Sequence, residues 1–282
     1  MTEALTAVRA VHFMATASVA GTLLFASLIA HPALRAAAID DERLRVQSAR
    51  VVWSGLIVAV LSGAAWFLVA AAAIGDRPLL ALDGVVWPLL NETQFGRVFL
   101  VRAALAALLL ALLLPLGGLR EARVRCAAAA SAAMVAALAW SSHAGATPGW
   151  IGHVHAASDA LHLLAAAAWL GGLPPLALAL GQRTDLDLRR MTLAGDIVRR
   201  FSLLGMVSVA ALLLTGIFNA FVLVPDAAAL FASDYGRLLL VKVALFLSMV
   251  GLALVKRLKL SPLLAAPPSS AIGASSRAAR AL

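Results

Sequence analysis

The chain has a single cysteine, Cys126, and few charges: Asp, Glu, Lys and Arg together make up 13% of its 282 residues. One cysteine excludes an internal disulfide and any Cys-x-x-Cys metal or redox pair. A soluble domain carries about a quarter charged residues, so this composition excludes one of ordinary make-up. There is no Walker phosphate-binding motif, so neither a nucleotide nor ATP-driven chemistry is indicated. The clustered carboxylates that Mg²⁺ or Ca²⁺ would want are also missing. What fills the chain instead is apolar: 62% of residues are hydrophobic and the mean hydropathy is +0.95. This is the composition of an all-α polytopic membrane protein with no room for a separate soluble domain. The net charge of +9 then speaks of orientation in a lipid bilayer before it speaks of nucleic acid, and no nucleic-acid partner is expected.

A span needs about 20 mostly apolar residues, and each must be a helix because lipid offers backbone groups no partner. Seven segments qualify: roughly Val8–Ala30, Val51–Gly75, Val98–Leu119, Val124–Ser141, His155–Leu178, Phe201–Val224 and Leu238–Val255. The first is far longer than a signal-peptide core of about 7–15 residues and reads as a retained span. Arg35, Arg43, Arg45 and Arg50 follow span one, and Arg120, Arg123 and Arg125 follow span three. Arg183, Arg189, Arg190, Arg199 and Arg200 follow span five, and Lys256, Arg257 and Lys259 follow span seven. The intervening loops are poor in Lys and Arg, so the positive-inside rule puts the N-terminus out and the C-terminus in. Residues 1–261 form one transmembrane domain on this reading, and the Pro-, Ser- and Arg-broken stretch 262–282 is expected to be a disordered cytoplasmic tail.

The histidines sort to one side of that topology. His12 sits just inside the outer end of span one, His143, His153 and His155 lie in or beside the loop after span four, and His162 lies about 10 Å into span five. Only His31, before Pro32 at the inner end of span one, is elsewhere.

The chain also resembles itself. RAVHFMATASVAGTLLF (from Arg9) aligns with DALHLLAAAAWLGGLPPL (from Asp159), setting His12 on His162 and Gly21 on Gly171. LSGAAWF from Leu61 matches LTGIFNAF from Leu214, and FGRVFLVR from Phe95 matches YGRLLLVK from Tyr235. Order is kept throughout, which indicates a parallel duplication of residues 8–141 in 155–255, with span four left without a counterpart after span seven. Parallel repeats place sites at the repeat interface, so His12 and His162 are expected at similar depth and facing one another. Arg102 and Lys242, at matched positions near their helix starts, are expected to snorkel to the outer headgroups.

His155, Asp159, His162 and Trp169 stack on one helix face by their spacing, whereas His153 points away from His162. An ionisable group inside a membrane is costly unless it is paired or functional. Neutral imidazoles bind soft or borderline metals, and Asp159 can hold a neighbouring ring through its second N–H. Histidine with thioether sulfur suits Cu(I), and histidine alone suits Cu(II) or zinc, which makes His12, His143, His155 and His162 the candidate metal ligands, with His153, Met14 and Met134 behind them. Against this, His143 and His153 can simply sit at headgroup level, Asp159 can cap the embedded part of its helix, and the two methionines can be packing residues. Trp169, Gly171 and Gly172 read mainly as close helix packing.

DALHLLAAAAWLGGLPPL resembles the signature segment of the copper-resistance protein D (CopD) family of bacterial inner-membrane proteins, with its His-x6-Trp-Leu-Gly-Gly element. SSHAG around His143, the run RRFSLLGMVSVAALLLTGIFNAF and YGRLLLVKVALF are similar to that family too. The resemblance implies movement of periplasmic copper, as Cu(I) or Cu(II), into or across the inner membrane, beside a small periplasmic copper-binding partner of the CopC type. It implies no enzymatic activity. Full-length members usually have eight spans, and this chain shows seven. Two other readings stay open on the sequence: a b-type haem cytochrome with His12 and His162 as axial ligands, and a non-transporting subunit that senses copper or assists assembly.

Overall fold

A computed structural model describes residues 2–79, 81–114, 121–141, 149–181, 188–224 and 228–255. Most of the described residues are helical, with no strand among them. The helices are α1 (Thr2–Phe25), α2 (His31–Ala37), α3 (Glu42–Gly75), α4 (Val86–Glu92), α5 (Gln94–Leu113), α6 (Glu121–Ala136), α7 (Gly149–Leu170), α8 (Leu173–Gly181), α9 (Leu188–Leu223), α10 (Ala229–Ala232) and α11 (Asp234–Val255). Seven helical stretches are long and apolar enough to cross a membrane, in the places the hydropathy pattern selects. The chain divides into two compact units, residues 1–220 and 221–282. The stretch 262–282 lies outside the described residues, as does His143.

Several helices overrun their expected ends, for local chemical reasons. α3 starts nine residues before Val51 because the Asp41 carboxylate caps it, accepting from the Leu44 N–H at 3.0 Å. α9 likewise continues upstream of Phe201 through the basic stretch from Leu188. The first span runs on through a π turn, Ala26–Ala30, where the His31 N–H reaches back to the Ala26 carbonyl. Pro32 follows in the first turn of α2, where its missing N–H costs nothing. Span five breaks at Gly171–Gly172, because Pro174 and Pro175 cannot extend the hydrogen bonding of α7 and instead start α8.

Helix α1 is the centre of the first unit. Val19 and Leu23 pack with Val52 and Leu56 of α3, Leu109 and Leu113 of α5, and Ala127 and Ala128 of α6. On another face, Ala20 meets Val135 of α6 and Ala167 of α7. α1 and α7 cross at two glycines. A Cβ on Gly21 would lie 2.3 Å from the Ala167 carbonyl oxygen and the Gly171 carbonyl carbon, and one on Gly171 would lie 2.3 Å from the Ala17 carbonyl oxygen. This is the small-residue backbone approach that drives helix association in lipid. A Cβ on Gly172 would lie 2.8 Å from the Phe201 ring, so this Gly-Gly pair serves close packing on both sides.

The aromatic-Gly-Arg segments have the same local geometry in each unit. Before Gly96, Thr93 caps α5 with its hydroxyl 3.0 Å from the Gly96 N–H, and Arg97 donates to the Glu92 carbonyl at the end of α4. Before Gly236, Ser233 Oγ lies 3.0 Å from the Gly236 N–H, and Arg237 donates to the Ala232 carbonyl at the end of α10. In both cases the Arg closes the orphan carbonyls of a short helix and the hydroxyl starts the long one.

Candidate functional site

His12 is 4% exposed and surrounded by three helices. Its Nδ1 lies 2.9 Å from the Ala59 carbonyl oxygen and 3.1 Å from Ser62 Oγ, both on α3. A carbonyl only accepts, so Nδ1 carries the proton. Ser62 gives its own hydroxyl proton to the Val58 carbonyl at 2.5 Å and accepts from the imidazole. Nε2 is therefore the lone-pair nitrogen. The Arg102 Nη2 of α5, which can only donate, hydrogen bonds to it.

Arg102 does not snorkel. It is 6% exposed and turned inward, with Nε donating to the Met134 carbonyl of α6 at 3.3 Å. The pairing with His12 and the Met134 carbonyl holds it there, where a headgroup-directed rotamer would have left His12 Nε2 without a donor. Trp66 closes one side of the group, its ring centroid 5.6 Å from that of His12. The Arg9 and Arg102 guanidinium groups stand 5.4 Å and 6.0 Å from the same ring, within cation–π range. Beside this cluster is a cavity of about 230 Å³, lined by His12, Arg102, Met134, Gly63 and Phe99 with small aliphatic residues of α3 and α5. Gly63 leaves room for the ring: a Cβ there would lie 3.0 Å from His12 Cε1.

His162 is half-buried on α7 and is held in a parallel way. Its Nδ1 lies 2.9 Å from Thr215 Oγ1 on α9. Thr215 gives its hydroxyl proton to the Ala211 carbonyl at 2.6 Å, so Oγ1 accepts and His162 Nδ1 donates. Gly216 follows Thr215 and leaves space beside the ring, as Gly63 follows Ser62. Each histidine thus binds, through the same nitrogen, the hydroxyl that precedes a glycine on its neighbouring helix. Toward the N-terminal end of α7, Ser158 Oγ and Asn219 Oδ1 are buried without a hydrogen-bond partner, one turn from His162 and from Thr215 respectively.

The other candidates fall in different places. His155 is fully buried on α7, Asp159 is half-buried one turn before His162, and His153 is exposed. Met134 lines the His12 cavity. Met14 is 64% exposed and lies outside that cavity, because two residues along α1 from His12 amounts to roughly 200° around the helix. His12 and Met134 are thus brought together, and Met14 is not. Among the described residues, no three His, Cys, Asp or Glu side chains form a group that could hold a metal ion.

Sequence reasoning alone passed over Ser62, Thr215 and the inward turn of Arg102. The first two were visible as the second residue of the matched LSG and LTG segments. Nothing in the sequence marked which way Arg102 would turn.

Comparison with known proteins places the chain in a family. Residues 1–154 match the family described as copper resistance protein D-like, N-terminal domain, and residues 195–282 match copper resistance protein D. The chain is 29% identical over 258 residues to inner membrane protein YebZ of Escherichia coli (strain K12), covering 91% of this chain and 84% of that one. It is 32% identical over 215 residues to copper resistance protein D of Pseudomonas syringae pv. tomato, covering 74% and 68%. With copper transport protein CutJ of Bacillus subtilis (strain 168), the identity is 31% over 178 residues, covering 61% of this chain and 32% of CutJ. No solved structure matches the chain significantly. A helical chain with seven spans, matched to these two family descriptions over residues 1–154 and 195–282, belongs to the copper resistance protein D family.

Proposed function

We propose that this protein takes up copper at the non-cytoplasmic face and carries it into or across the bacterial inner membrane, contributing to copper homeostasis or resistance. The observation that carries the reading is the shared fixing of His12 and His162. Each ring donates Nδ1–H to an oxygen on the neighbouring helix, which orients Nε2 as the ligand nitrogen, the outer-shell arrangement that metal-binding histidines favour. The printed names of two relatives, a copper resistance protein and a copper transport protein, point to the same cargo. A third relative's name supports the inner membrane as the location.

The ligands on this reading are His155 and His162, oriented with help from Asp159, together with His143 of the preceding loop. His12 and Met134 form a second donor pair at the cavity. Imidazole and thioether suit copper in its reduced form. The unpartnered Ser158 and Asn219 oxygens make the approach to His162 polar. The ion arrives from outside, handed over by a small periplasmic copper-binding protein of the CopC type, with the N-terminus out and the C-terminus in.

The paired His–hydroxyl contacts, the matched helix caps and the Gly21–Gly171 crossing, where equivalent residues touch each other, support descent from a duplicated unit. The copies have diverged in charge: Arg9 stands in the first where Asp159 stands in the second. A cation is therefore drawn first to the His162 half.

Competition titration of the purified full-length protein with Cu(I) tests this, alongside copper, zinc and iron analysis. Loss of His162 is expected to weaken binding by at least about tenfold, and the His12→Ala, His162→Ala double variant to lose high-affinity binding altogether. Unchanged affinity in the double variant, or an iron content with a Soret band, would overturn the assignment.

A further inference from the structure

The lone pair that copper would use on His12 already has an occupant. Nδ1–H is committed to Ala59 and Ser62, so Nε2 is the one nitrogen left for an incoming cation, and Arg102 donates to it. One lone pair cannot serve a guanidinium and a metal ion together. A metal placed beside the guanidinium would also be repelled at short range in a poorly screened interior. We propose that Arg102 is a tethered cation that competes with copper for His12 Nε2, and so sets the affinity and charge selectivity of that donor. The inference rests on the copper reading above and deepens it.

Three features of the geometry support the exchange. Among the described residues, Arg102 is held by neutral groups only: the His12 ring, the Met134 carbonyl and the Trp66 face. Among the described residues no carboxylate pairs with it, so no ion pair has to break for it to leave. The adjacent cavity is lined by Arg102, His12 and Met134 alike, so a displaced guanidinium has space at hand, and an arriving ion finds an imidazole and a thioether residue on the same wall. The charge count also favours one ion class. With the displaced guanidinium still in the adjacent cavity, a monovalent cation adds one positive charge to the site and a divalent ion adds two, so repulsion from Arg102 weighs more heavily against the divalent ion. Cu(I) and Ag(I) are thus admitted over Zn(II).

The test is a competition titration of the purified full-length protein with Cu(I), Ag(I) and Zn(II). Arg102→Gln is expected to bind Cu(I) and Ag(I) at least about tenfold more tightly, with a larger gain for Zn(II). Arg102→Lys keeps the charge and should stay within about threefold of wild type. The gain should vanish in His12→Ala, Arg102→Gln. Tightening on removal of a buried side chain is not what a merely structural residue gives. Equal or weaker binding by Arg102→Gln, alongside weakened binding by His12→Ala, would overturn the competitor role while leaving the copper site standing. If neither His12→Ala nor His162→Ala alters affinity, the copper reading itself fails. A measurement on the wild-type chain avoids reliance on variant folding: in ¹⁵N spectra, Ag(I) should shift His12 Nε2 and the Arg102 guanidinium at the same point of the titration. A shift of the ring alone would contradict the exchange.

Discussion

The hydroxyls of Ser62 and Thr215 fix which nitrogen each histidine presents, and their removal should have unequal effects. Thr215→Val keeps the shape but takes away the acceptor recorded for His162 Nδ1–H. Copper affinity is expected to fall by about tenfold, while Thr215→Ser stays close to wild type. Ser62→Ala should do less, because the Ala59 carbonyl still accepts from His12 Nδ1–H at 2.9 Å. Titrations of the three variants against a Cu(I) chelator check the order. At this scale the sequence was only partly legible. Depth and spacing singled out His12 and His162, since a costly buried imidazole stands out in an apolar run. The partners did not stand out, because serine and threonine are unremarkable in a span. The direction of Arg102 depends on a carbonyl of α6 and a ring of α1, both distant in sequence. Met14 and Met134 looked alike on paper, and only the rotational position of α1 separated the exposed one from the one on the cavity wall.

Among the helices, glycines that permit backbone contact should be far less tolerant than those in open space. Gly171→Ala would push a Cβ to 2.3 Å from the Ala17 carbonyl oxygen and 2.5 Å from that of Ala167. Neither backbone can yield cheaply, so a loss of about 2–3 kcal/mol is expected. Gly195 on α9 has nothing within 4 Å of an added Cβ, and Gly195→Ala should stabilise by up to about 1 kcal/mol through helix propensity alone. Thermal unfolding in detergent compares the two. The spans themselves were legible from hydropathy, because length and apolarity are what a bilayer demands. Their ends were not. The cap at Asp41, the π turn before Pro32 and the break at Gly171–Gly172 each arise from hydrogen-bond supply, to which hydropathy is blind.

At the scale of the molecule, the basic segments after spans one, three and five meet at one end of the unit formed by residues 1–220. Arg35 pairs with Glu121 at 2.7 Å, joining α2 to α6, and Arg190 of α9 lies 4.0 Å from Asp41 at the start of α3. These exposed pairs add little stability individually, but they put the ends of four helices on the same face, as alternating loop charge requires. With this end cytoplasmic, a thiol-reactive, membrane-impermeant label should reach Glu92→Cys in intact cells, and Arg45→Cys only after permeabilisation, both in a Cys126→Ser background. The reverse pattern would invert the topology and remove the histidines from the periplasmic side.

The most direct test of copper carriage is flux. Wild-type protein in liposomes, given Cu(I) on the side of the His162 site, should load the lumen, and His162→Ala should slow loading by at least about tenfold while keeping the wild-type unfolding temperature. Equal flux through wild type and His162→Ala, or no flux above protein-free liposomes, would contradict the account.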